Sequence, residues 1–261
     1  MRIALGLEYD GALFHGWQSQ ADGSGVQDAV EHAVAAIAGS RAAVAAAGRT
    51  DSGVHATMQV VHFDADAARP ESAWVRGVNS LLPPTVAVRW ASVVDAEFHA
   101  RYSAAGRHYT YLLLDRPERP ALLASRVGWY HQPLALEAMR AAAESLLGVH
   151  DFSAFRAAEC QAKSPVKTLD RLDITREGNM LRFDLHADAF LHHMVRNIVG
   201  TLVYVGGGRQ APLWVAQLLA GRDRARAAPT FSAAGLYLTG VDYPPRWNLP
   251  ATLAPLQLPR S

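Results

Sequence analysis

The chain has 261 residues, of which 50% are hydrophobic and 19% are charged, and its formal net charge is +1. This balance excludes disordered chains, collagen-like or coiled-coil rods and histone-like polycations, because each of those classes requires a strongly biased composition. The length suits one large domain or two domains of about 100 to 150 residues each.

The positive charge is uneven in type and in position. Of the 25 basic residues, all but Lys163 and Lys167 are arginines. Residues 1–66 contain 3 arginines and 8 acidic residues, a net −5, so the rest of the chain carries +6. Compositional bias explains the arginine excess best, but a planar guanidinium also suits phosphate and base recognition. The charge split by itself weakly favours an enzyme that binds RNA or DNA.

The cysteine count and the N-terminus indicate the compartment. Cys160 is the single cysteine, so no intrachain disulfide can form. The first residues lack the charged-then-apolar layout of a secretory signal, and the longest apolar stretch, 198–208, is too short to cross a bilayer. We therefore expect a cytoplasmic protein without a membrane partner.

Hydrophobic periodicity in residues 1–105 predicts the element order βαββαβ. A strand at 3–9 precedes a helix that begins at a capping-box pattern, Ser24 to Gln27, and ends at Gly39. The inward face of this helix is predicted to consist of Val26, Ala29, Val30, Ala33, Val34 and Ile37. The elements predicted next are strands at 42–47 and 58–63 around a loop at 48–56, a helix near 70–81 and a strand at 86–94.

The same order returns in residues 106–245. The predicted elements are a strand at 109–114, a helix at 134–147, strands at 169–175 and 181–186 joined by a Gly178-Asn179 turn, helices at 191–205 and near 213–219, and a strand at 236–243. We therefore predict an α/β (α+β) fold of two ferredoxin-like βαββαβ halves, 1–105 and 106–245, which form one extended, mostly antiparallel sheet with helices packed on it and a central cleft. The proline-rich residues 246–261 are predicted to form an extended tail.

The most distinctive motif is AGRTDSGVHA at 47–56, in the loop between two predicted strands. Its glycines permit a tight turn, and in an extended segment Arg49 and Asp51 point the same way. A neighbouring guanidinium keeps a carboxylate ionised and fixes its rotamer, as a catalytic carboxylate requires. The alternative is an aspartate that closes a turn beside an unrelated arginine.

A second motif, FLHHMVRN at 190–197, is predicted to lie on a helix. Helical spacing puts Arg196 away from the buried stripe and near His192 and His193, either as an ordinary solvated arginine or as a cation that faces the cleft. The adjacent histidines do not make the i, i+4 pair of zinc helices, so we expect no metal site.

A third motif, RHYTYLLL at 107–114, alternates along a strand and places Tyr109 and Tyr111 on one face. A tyrosine ring on a cleft-lining face can stack on a base and its hydroxyl can direct a proton, whereas the alternative is a core tyrosine. The GxxxxGK[ST], GxGxxG, HExxH, CxxC and GxSxG patterns are all absent from the sequence. Nucleotide hydrolysis, dehydrogenation and serine-esterase chemistry therefore lack their usual markers.

Together these motifs resemble the tRNA pseudouridine synthase A family. The opening LGLEYDGALFHGWQSQ, the middle segments FHARYSA and LLGVHDFSAFR and the late GLYLTGVDYP are also similar to that family, in the same order. The resemblance spans essentially the whole chain, and several motifs in register are more specific than any one of them. It implies a pseudouridine synthase fold, which agrees with the duplicated arrangement.

The resemblance implies isomerisation of uridine to pseudouridine at positions 38, 39 and 40 of the tRNA anticodon stem-loop, by a homodimer and without metal or cofactor. It implies that Asp51 is the catalytic aspartate, that Arg49 contacts tRNA and flips the base, and that Tyr109 and Arg196 bind the substrate. The other tRNA-binding residues that it implies form two segments: Phe98, His99, Ala100, Arg101 and Tyr102, and Glu159, Cys160, Gln161, Ala162 and Lys163.

Two positions depart from the family, and two other functions compete with it. Ser52 stands where many members carry alanine and Tyr102 where phenylalanine is frequent, which concerns substrate preference rather than the reaction. A non-catalytic RNA-binding protein or chaperone has no use for Asp51, because a carboxylate repels phosphates. A nucleoside glycosidase acting through Asp51 releases free uracil, whereas the isomerase leaves a nucleotide of unchanged mass.

Overall fold

The computed structural model describes residues 1–66 and 68–256 and divides into two compact units. Unit 1 comprises Met1–Gly106 together with the described residues from Tyr237 onward, and unit 2 comprises Arg107–Leu236. Both units combine helices with mostly antiparallel strands, which confirms the predicted α/β class. The boundaries predicted from the duplication, 1–105 and 106–245, stay a prediction, because a division of the chain by spatial compactness does not test a division by repeated element order.

Within the described residues there are ten strands and five α-helices. The strands are β1 (Arg2–Tyr9), β2 (Ala45–Ala46), β3 (His55–Asp64), β4 (Val86–Val94), β5 (Gly106–Asp115), β6 (Gly128–Tyr130), β7 (Gly148–Asp151), β8 (Val166–Glu177), β9 (Met180–Ala187) and β10 (Leu236–Asp242). The helices are α1 (Val26–Ala38), α2 (Glu71–Asn79), α3 (Leu136–Glu144), α4 (Met194–Gly206) and α5 (Leu213–Gly221). In the part of the chain that the structure describes, no helix has the length and apolar character needed to cross a bilayer.

In unit 1, strands β4, β1 and β3 lie side by side in that order, and both pairs are antiparallel. On the far side of β3, the short β2 pairs antiparallel, and β10 pairs parallel through Tyr237 and Leu238. The strand predicted at 42–47 is only two residues long, because the Val44 amide donates to the Glu31 side chain of α1 at 2.9 Å instead of to a strand. The elements up to β4 follow the predicted βαββαβ order.

Strand β1 is buried on both faces from Ile3 to Leu7. On one face Ile3, Leu5 and Leu7 of β1 are fully buried. The intervening Ala4 faces a second apolar cluster, which includes Val60, Phe98, Ala100, Val241, Trp247 and Leu249. Since complete burial of an aliphatic side chain contributes about 1.5 to 3 kcal/mol, both faces stabilise the unit.

The tail predicted at 246–261 is paired with unit 1 over the part that is described. Leu253 forms an antiparallel bridge with Gly240, and the Ala254 amide donates to the Thr239 carbonyl at 2.9 Å. The Trp90 indole N–H also donates to the Ala251 carbonyl at 2.9 Å. The remaining tail residues, 257–261, lie outside the described residues.

The N-cap of helix α1 lies one residue later than predicted. Gly25 is the N-cap, the Asp28 carboxylate accepts the Gly25 amide at 2.9 Å, and the Asp28 amide donates to the Gly25 carbonyl at 3.2 Å, so this pair takes the place of the predicted pair of Ser24 and Gln27. The helix ends as predicted at Gly39, whose φ of 74° lies in the left-handed region that glycine favours.

In unit 2, strands β5, β9, β8 and β7 form an antiparallel series in that order, and β6 lies parallel to β5. The β8–β9 hairpin turns at the predicted place, with Gly178 at a φ of 57°. Strands β6 and β7 are not predicted from the sequence, because three and four residues are too few to show alternation. Helix α3 lies within the predicted helix at 134–147, and α5 covers the predicted helix at 213–219 and continues for two more residues.

Helix α4 begins at Met194, three residues later than predicted. His192 and His193 form a turn before it, and His193 has a φ of 62°, which ends any helical continuation toward Leu191. The prediction that the two histidines lie on the helix is therefore wrong. The buried stripe is as expected, with Met194, Ile198 and Leu202 fully buried.

Candidate active site

The loop at 48–54 leads into β3 in unit 1 and alternates between exposed and buried side chains. Arg49 is exposed, Thr50 is buried and Asp51 is half-buried. After Asp51 the chain turns, and the Val54 amide donates to the Asp51 carbonyl at 3.1 Å. Arg49 and Asp51 therefore lie opposite Thr50, which is the alternation that an extended Arg-x-Asp segment predicts.

Buried polar side chains hold this loop from inside unit 1. The amide of Gln59 on β3 clamps Gly48, since its Nε2 donates to the Gly48 carbonyl at 2.6 Å and its Oε1 accepts the Gly48 amide at 3.3 Å. The Thr50 hydroxyl lies 2.8 Å from the Tyr9 hydroxyl, and the Thr50 carbonyl accepts the Trp17 amide at 2.9 Å. The backbone on both sides of Arg49 is thus fixed.

The segment after β1 packs directly on the loop, and glycine permits that approach. A Cβ at Gly16 would lie 2.8 Å from the Thr50 carbonyl oxygen, and Gly16 also has a left-handed φ of 88°. A Cβ at Gly11 would lie 1.9 Å from the Val54 carbonyl oxygen. Any larger residue at either position displaces the loop that carries Asp51.

The loop ends at His55, which is buried and held by the same segment. Its Nδ1 lies 3.1 Å from the Gly11 amide and 3.0 Å from a carboxylate oxygen of Asp10. A neutral Nδ1 accepts from Gly11 and a protonated one donates to Asp10, so either state ties His55 to residues 10–11. The imidazole also stacks on the ring of Tyr237, with a centroid distance of 4.7 Å.

In unit 2, Tyr109 and Tyr111 lie on β5 but differ in burial. Tyr111 is fully buried and its hydroxyl donates to the Ser232 carbonyl at 2.8 Å, so it is a core tyrosine. Tyr109 is half-buried, and its ring forms a T-shaped pair with the ring of Phe190, with a centroid distance of 5.0 Å. An aromatic ring that is only half-buried on a strand is a type of surface on which a base can stack.

Arg196 lies in the first turn of α4 and is tied to Phe231. Its Nε donates to the Phe231 carbonyl at 2.9 Å, and the Phe231 amide donates back to the Arg196 carbonyl at 3.3 Å. Half-buried and held at Nε, Arg196 is not an ordinary solvated arginine. The guanidinium is oriented before any substrate arrives.

A hydrogen-bond network around the buried Asn197 side chain holds the segment of unit 2 that contacts Arg196. The Asn197 side-chain oxygen accepts from the Arg224 guanidinium at 3.0 Å and from the Thr230 hydroxyl at 2.7 Å. The amide of the same side chain donates to the Phe155 carbonyl at 2.8 Å. Burial lowers the pKa of Arg224 from its ordinary value, which reflects how far the guanidinium is removed from water.

The segment 98–102 of unit 1 divides into buried and exposed residues. Phe98 and Ala100 are fully buried, and the Ala100 amide donates to His62 Nδ1 at 3.1 Å. His99 is half-buried, and its Nδ1 accepts the Arg101 and Tyr102 amides at 3.1 and 3.3 Å. In this conformation the surface of the segment is therefore supplied mainly by the exposed side chains of Arg101 and Tyr102.

The segment 159–163 of unit 2 is organised around Arg156 and Cys160. The Arg156 guanidinium donates to the Ala162 carbonyl at 3.1 Å and to the Cys160 carbonyl. Burial raises the pKa of the Cys160 thiol, but hydrogen bonds from the Ala162 and His192 backbone and the Arg156 charge outweigh it, so the pKa lies below its ordinary value. The exposed members of the segment are Glu159, Gln161 and Lys163.

Comparison with known proteins identifies the family. A family model described as tRNA pseudouridine synthase matches residues 7–103 and 142–244. The chain belongs to the tRNA pseudouridine synthase family. This confirms the resemblance in the sequence, and the chain is accordingly an enzyme, an isomerase acting on uridine.

Relatives within the tRNA pseudouridine synthase family are similar over nearly their whole length. A protein named tRNA pseudouridine synthase A from Chromobacterium violaceum is 65% identical over 252 residues, which are 96% of each chain. Its namesakes from Dechloromonas aromatica and Neisseria meningitidis are 63% and 58% identical, over 96% and 95% of this chain and 95% and 94% of theirs. Among solved structures, a chain of a Cbf5-Nop10-Gar1 complex aligns with 90% of this chain and 48% of its own length, with 12% identity. The TM-score is 0.37, which is too low to bear on the fold.

The sequence alone does not reveal the residues that support the loop at 48–54. Tyr9 and Thr50 give no signal, because each fits the apolar or turn-forming pattern around it. Gln59 does give one, since an amide within the apolar run 58–63 is a polar group that must find a partner when buried. Its partner, Gly48, is eleven residues away and cannot be read from the run itself.

Proposed function

We propose that this protein converts uridine to pseudouridine at positions 38, 39 and 40 of the tRNA anticodon stem-loop, as a cytoplasmic homodimer. The observation that carries the proposal is the loop at 48–54, which holds Arg49 and Asp51 on one side of a firmly anchored backbone in a chain of the synthase family. The family name and the names of the relatives supply tRNA as the substrate. The positions and the dimer come from the resemblance in the sequence, and the compartment is the expectation drawn from the single cysteine.

The reaction breaks the bond from N1 to C1′, turns the uracil and joins C5 to C1′. Product and substrate contain the same atoms, so the reaction needs neither a redox partner nor a group donor. Asp51, as a carboxylate, either attacks C1′ to give a covalent ester or removes a sugar proton to give a glycal. Both routes require an ionised carboxylate on a backbone that does not move away from the sugar, which the anchors of the loop provide.

The other proposed residues handle the base and the RNA. A uridine must leave the helical stack before C1′ becomes accessible, and the exposed Arg49 is proposed to occupy the vacated space. Tyr109 is proposed to stack on the uracil, and Arg196, oriented by Phe231, to bind the same nucleotide. Arg101, Tyr102 and Lys163, all exposed, are proposed to contact the tRNA. Buried Phe98 and Ala100 are proposed to support that contact by shaping the loop.

Tritium release from tRNA that carries C5-labelled uridine tests the proposal, because C5 loses its hydrogen when it joins C1′. We expect Asp51→Asn to lower the rate by more than about a thousandfold, since the carboxylate does the chemistry, while the variant still binds tRNA. The matched control is Asp173→Asn, an exposed aspartate on β8, which we expect to keep the wild-type rate. Equal rates for the wild type and Asp51→Asn would refute the role of Asp51.

The positions are tested separately with tRNA in which residues 38, 39 and 40 are all cytidine. We expect no release from this tRNA and release from versions that restore one uridine at a time. Release that is unchanged by the triple replacement would place the modification elsewhere in the tRNA.

A further inference from the structure

Three buried polar side chains lie together beneath the Arg49–Asp51 loop of unit 1. Gln59 is fully buried, Tyr9 is 4% exposed and Thr50 is 6% exposed. Polar groups in an apolar core cost free energy unless they are hydrogen-bonded, so such a cluster needs a purpose that apolar residues of similar size would not serve. The chemistry described above assigns none of the three a contact with substrate.

The cluster joins two elements of the sheet to the loop. Tyr9 is the last residue of β1, Gln59 lies within β3, and Thr50 and Gly48 belong to the loop itself. The Tyr9 hydroxyl contacts the Thr50 hydroxyl at 2.8 Å, and the Gln59 amide holds both polar groups of Gly48. Gly48 and Thr50 are the residues on either side of Arg49, so each reactive side chain of the loop adjoins an anchored residue.

We propose that Tyr9 is a positioning residue for uridine isomerisation, which acts through the Thr50 hydroxyl to hold the backbone of Asp51. The inference rests on the proposed function, because it supposes that Asp51 does the chemistry. Thr50 is bonded to Asp51 and its side chain points into the core, so a Thr50 side chain that is free to turn lets the Asp51 carboxylate move relative to the sugar. A misplacement of about 1 Å in a reacting group lowers a rate by up to about a hundredfold.

The Tyr9 hydroxyl stays neutral in this role. Burial raises the pKa of Tyr9 to about 12, and hydrogen bonds with Thr50 and Gln59 oppose that shift without reversing it. A group that remains protonated through the working range positions its neighbour but transfers no proton. Removing the hydroxyl therefore lowers the rate at every pH and leaves the shape of the pH profile unchanged.

The first test is Tyr9→Phe in the full chain without tRNA. We expect the Trp17 amide, which donates to the Thr50 carbonyl, to exchange its hydrogen about tenfold faster, because the loop loses one buried hydrogen bond. The control is Asn79→Ala, which removes a similar amide clamp in unit 1, one that holds Val88 and does not touch the loop. Unchanged exchange at Trp17 in Tyr9→Phe would overturn the proposal.

The second test is turnover of unmodified tRNA. We expect Tyr9→Phe to lower kcat by about 10- to 100-fold with KM within about twofold, and Thr50→Val to do the same. Thr50→Ser keeps the hydroxyl and restores most of the rate, and Asn79→Ala stays near the wild type at temperatures where it is folded. The double variant Tyr9→Phe/Thr50→Val is no slower than either single variant, because both substitutions remove the same hydrogen bond, the one between the Tyr9 and Thr50 hydroxyls.

The outcomes separate this inference from the function on which it rests. Faster exchange with an unchanged kcat would overturn the positioning role, as would an equal loss of kcat in Asn79→Ala or a lost limb of the pH profile in Tyr9→Phe. A wild-type protein that forms no pseudouridine in tRNA would instead overturn the proposed function, and with it the need for positioning, while the exchange arm still decides whether Tyr9 holds the loop.

Discussion

Thr50 is buried although Arg49 is exposed and Asp51 is half-buried. The sequence predicts this alternation, because an extended segment between two glycines sends alternate side chains to opposite sides. It does not predict where Thr50 goes, since its partner Tyr9 is 41 residues earlier in the chain. At the scale of single residues, the side to which a side chain points follows from the local backbone geometry. The residue with which Thr50 forms its hydrogen bond depends instead on how β1 and β3 are paired.

His62 also has a partner distant in the chain, Ala100, which the sequence does not reveal. The burial of His62 makes unit 1 sensitive to acid. Burial lowers the pKa of His62 to about 4, and the nearby His99 and Arg2 act in the same direction. Its neutral Nδ1 accepts the Ala100 amide at 3.1 Å, so protonation removes that bond. The unfolded chain, with a histidine pKa near 6.5, binds more protons than the folded chain between about pH 4 and pH 6.5.

We therefore expect the free energy of unfolding to fall as the pH is lowered through that window. The part due to His62 is about 1 to 2 kcal/mol after solvent screening, and His62→Gln removes it. Urea unfolding of both proteins at pH 7 and pH 4.5 measures the difference. His32→Gln, at an exposed position on α1, is the control and keeps the wild-type pH dependence. A His62→Gln protein as acid-sensitive as the wild type would contradict the assignment.

At the scale of elements, length decides what the sequence reveals. The 3.6-residue period locates α1 and α4 and the two-residue period locates β9, because each is long enough to repeat its pattern. The three-residue β6 and the four-residue β7 are not foreseen. The start of α4 is misplaced because apolar spacing continues through Leu191, although the left-handed backbone of His193 separates that residue from the helix.

The first turn of α4 depends on the network that joins Asn197, Arg224 and Thr230. We expect Arg224→Met to lower the free energy of unfolding by about 2 to 3 kcal/mol, because it leaves the Asn197 oxygen and the Ala228 carbonyl short of a donor. We also expect a lower kcat, since the segment that orients Arg196 is loosened. Thermal melting and tRNA turnover measure the two effects.

The control for this prediction is Arg226→Met, two residues farther along the same turn. Arg226 is exposed, so its loss should change the free energy of unfolding by no more than about 0.5 kcal/mol. If Arg224→Met and Arg226→Met had the same free energy of unfolding, the hydrogen bonds of Arg224 would not contribute to stability.

At the scale of the whole molecule, the charge distribution predicts how binding responds to salt. The chain carries only +1 overall, but residues after 66 carry +6 and include Arg101 and Lys163. An enzyme that neutralises six or more phosphates loses about a thousandfold or more in affinity between 50 and 200 mM salt, through counterion release. We expect tRNA binding to fall to this extent in a filter-binding titration with KCl.

Individual contacts can be counted in the same titration. Lys163→Gln should reduce the salt slope by about one, as the loss of one phosphate contact requires. Arg171→Gln removes an exposed cation that is already paired with Asp173 on β8, and it should leave the slope unchanged. A flat titration for the wild type would exclude phosphate tracking by these cations.

The pairing of residues 239–254 within unit 1 has a consequence for synthesis of the chain. Unit 1 begins at Met1, yet one face of its sheet is completed by Val241, Trp247 and Leu249, and Ala254 accepts a bond from Thr57 of β3. On the ribosome, all of unit 2 is made before those residues emerge. Residues 1–106 are therefore translated before unit 2, whereas the residues that cover this apolar face are translated after it, so the unit that carries Asp51 can be completed only after unit 2 has been made.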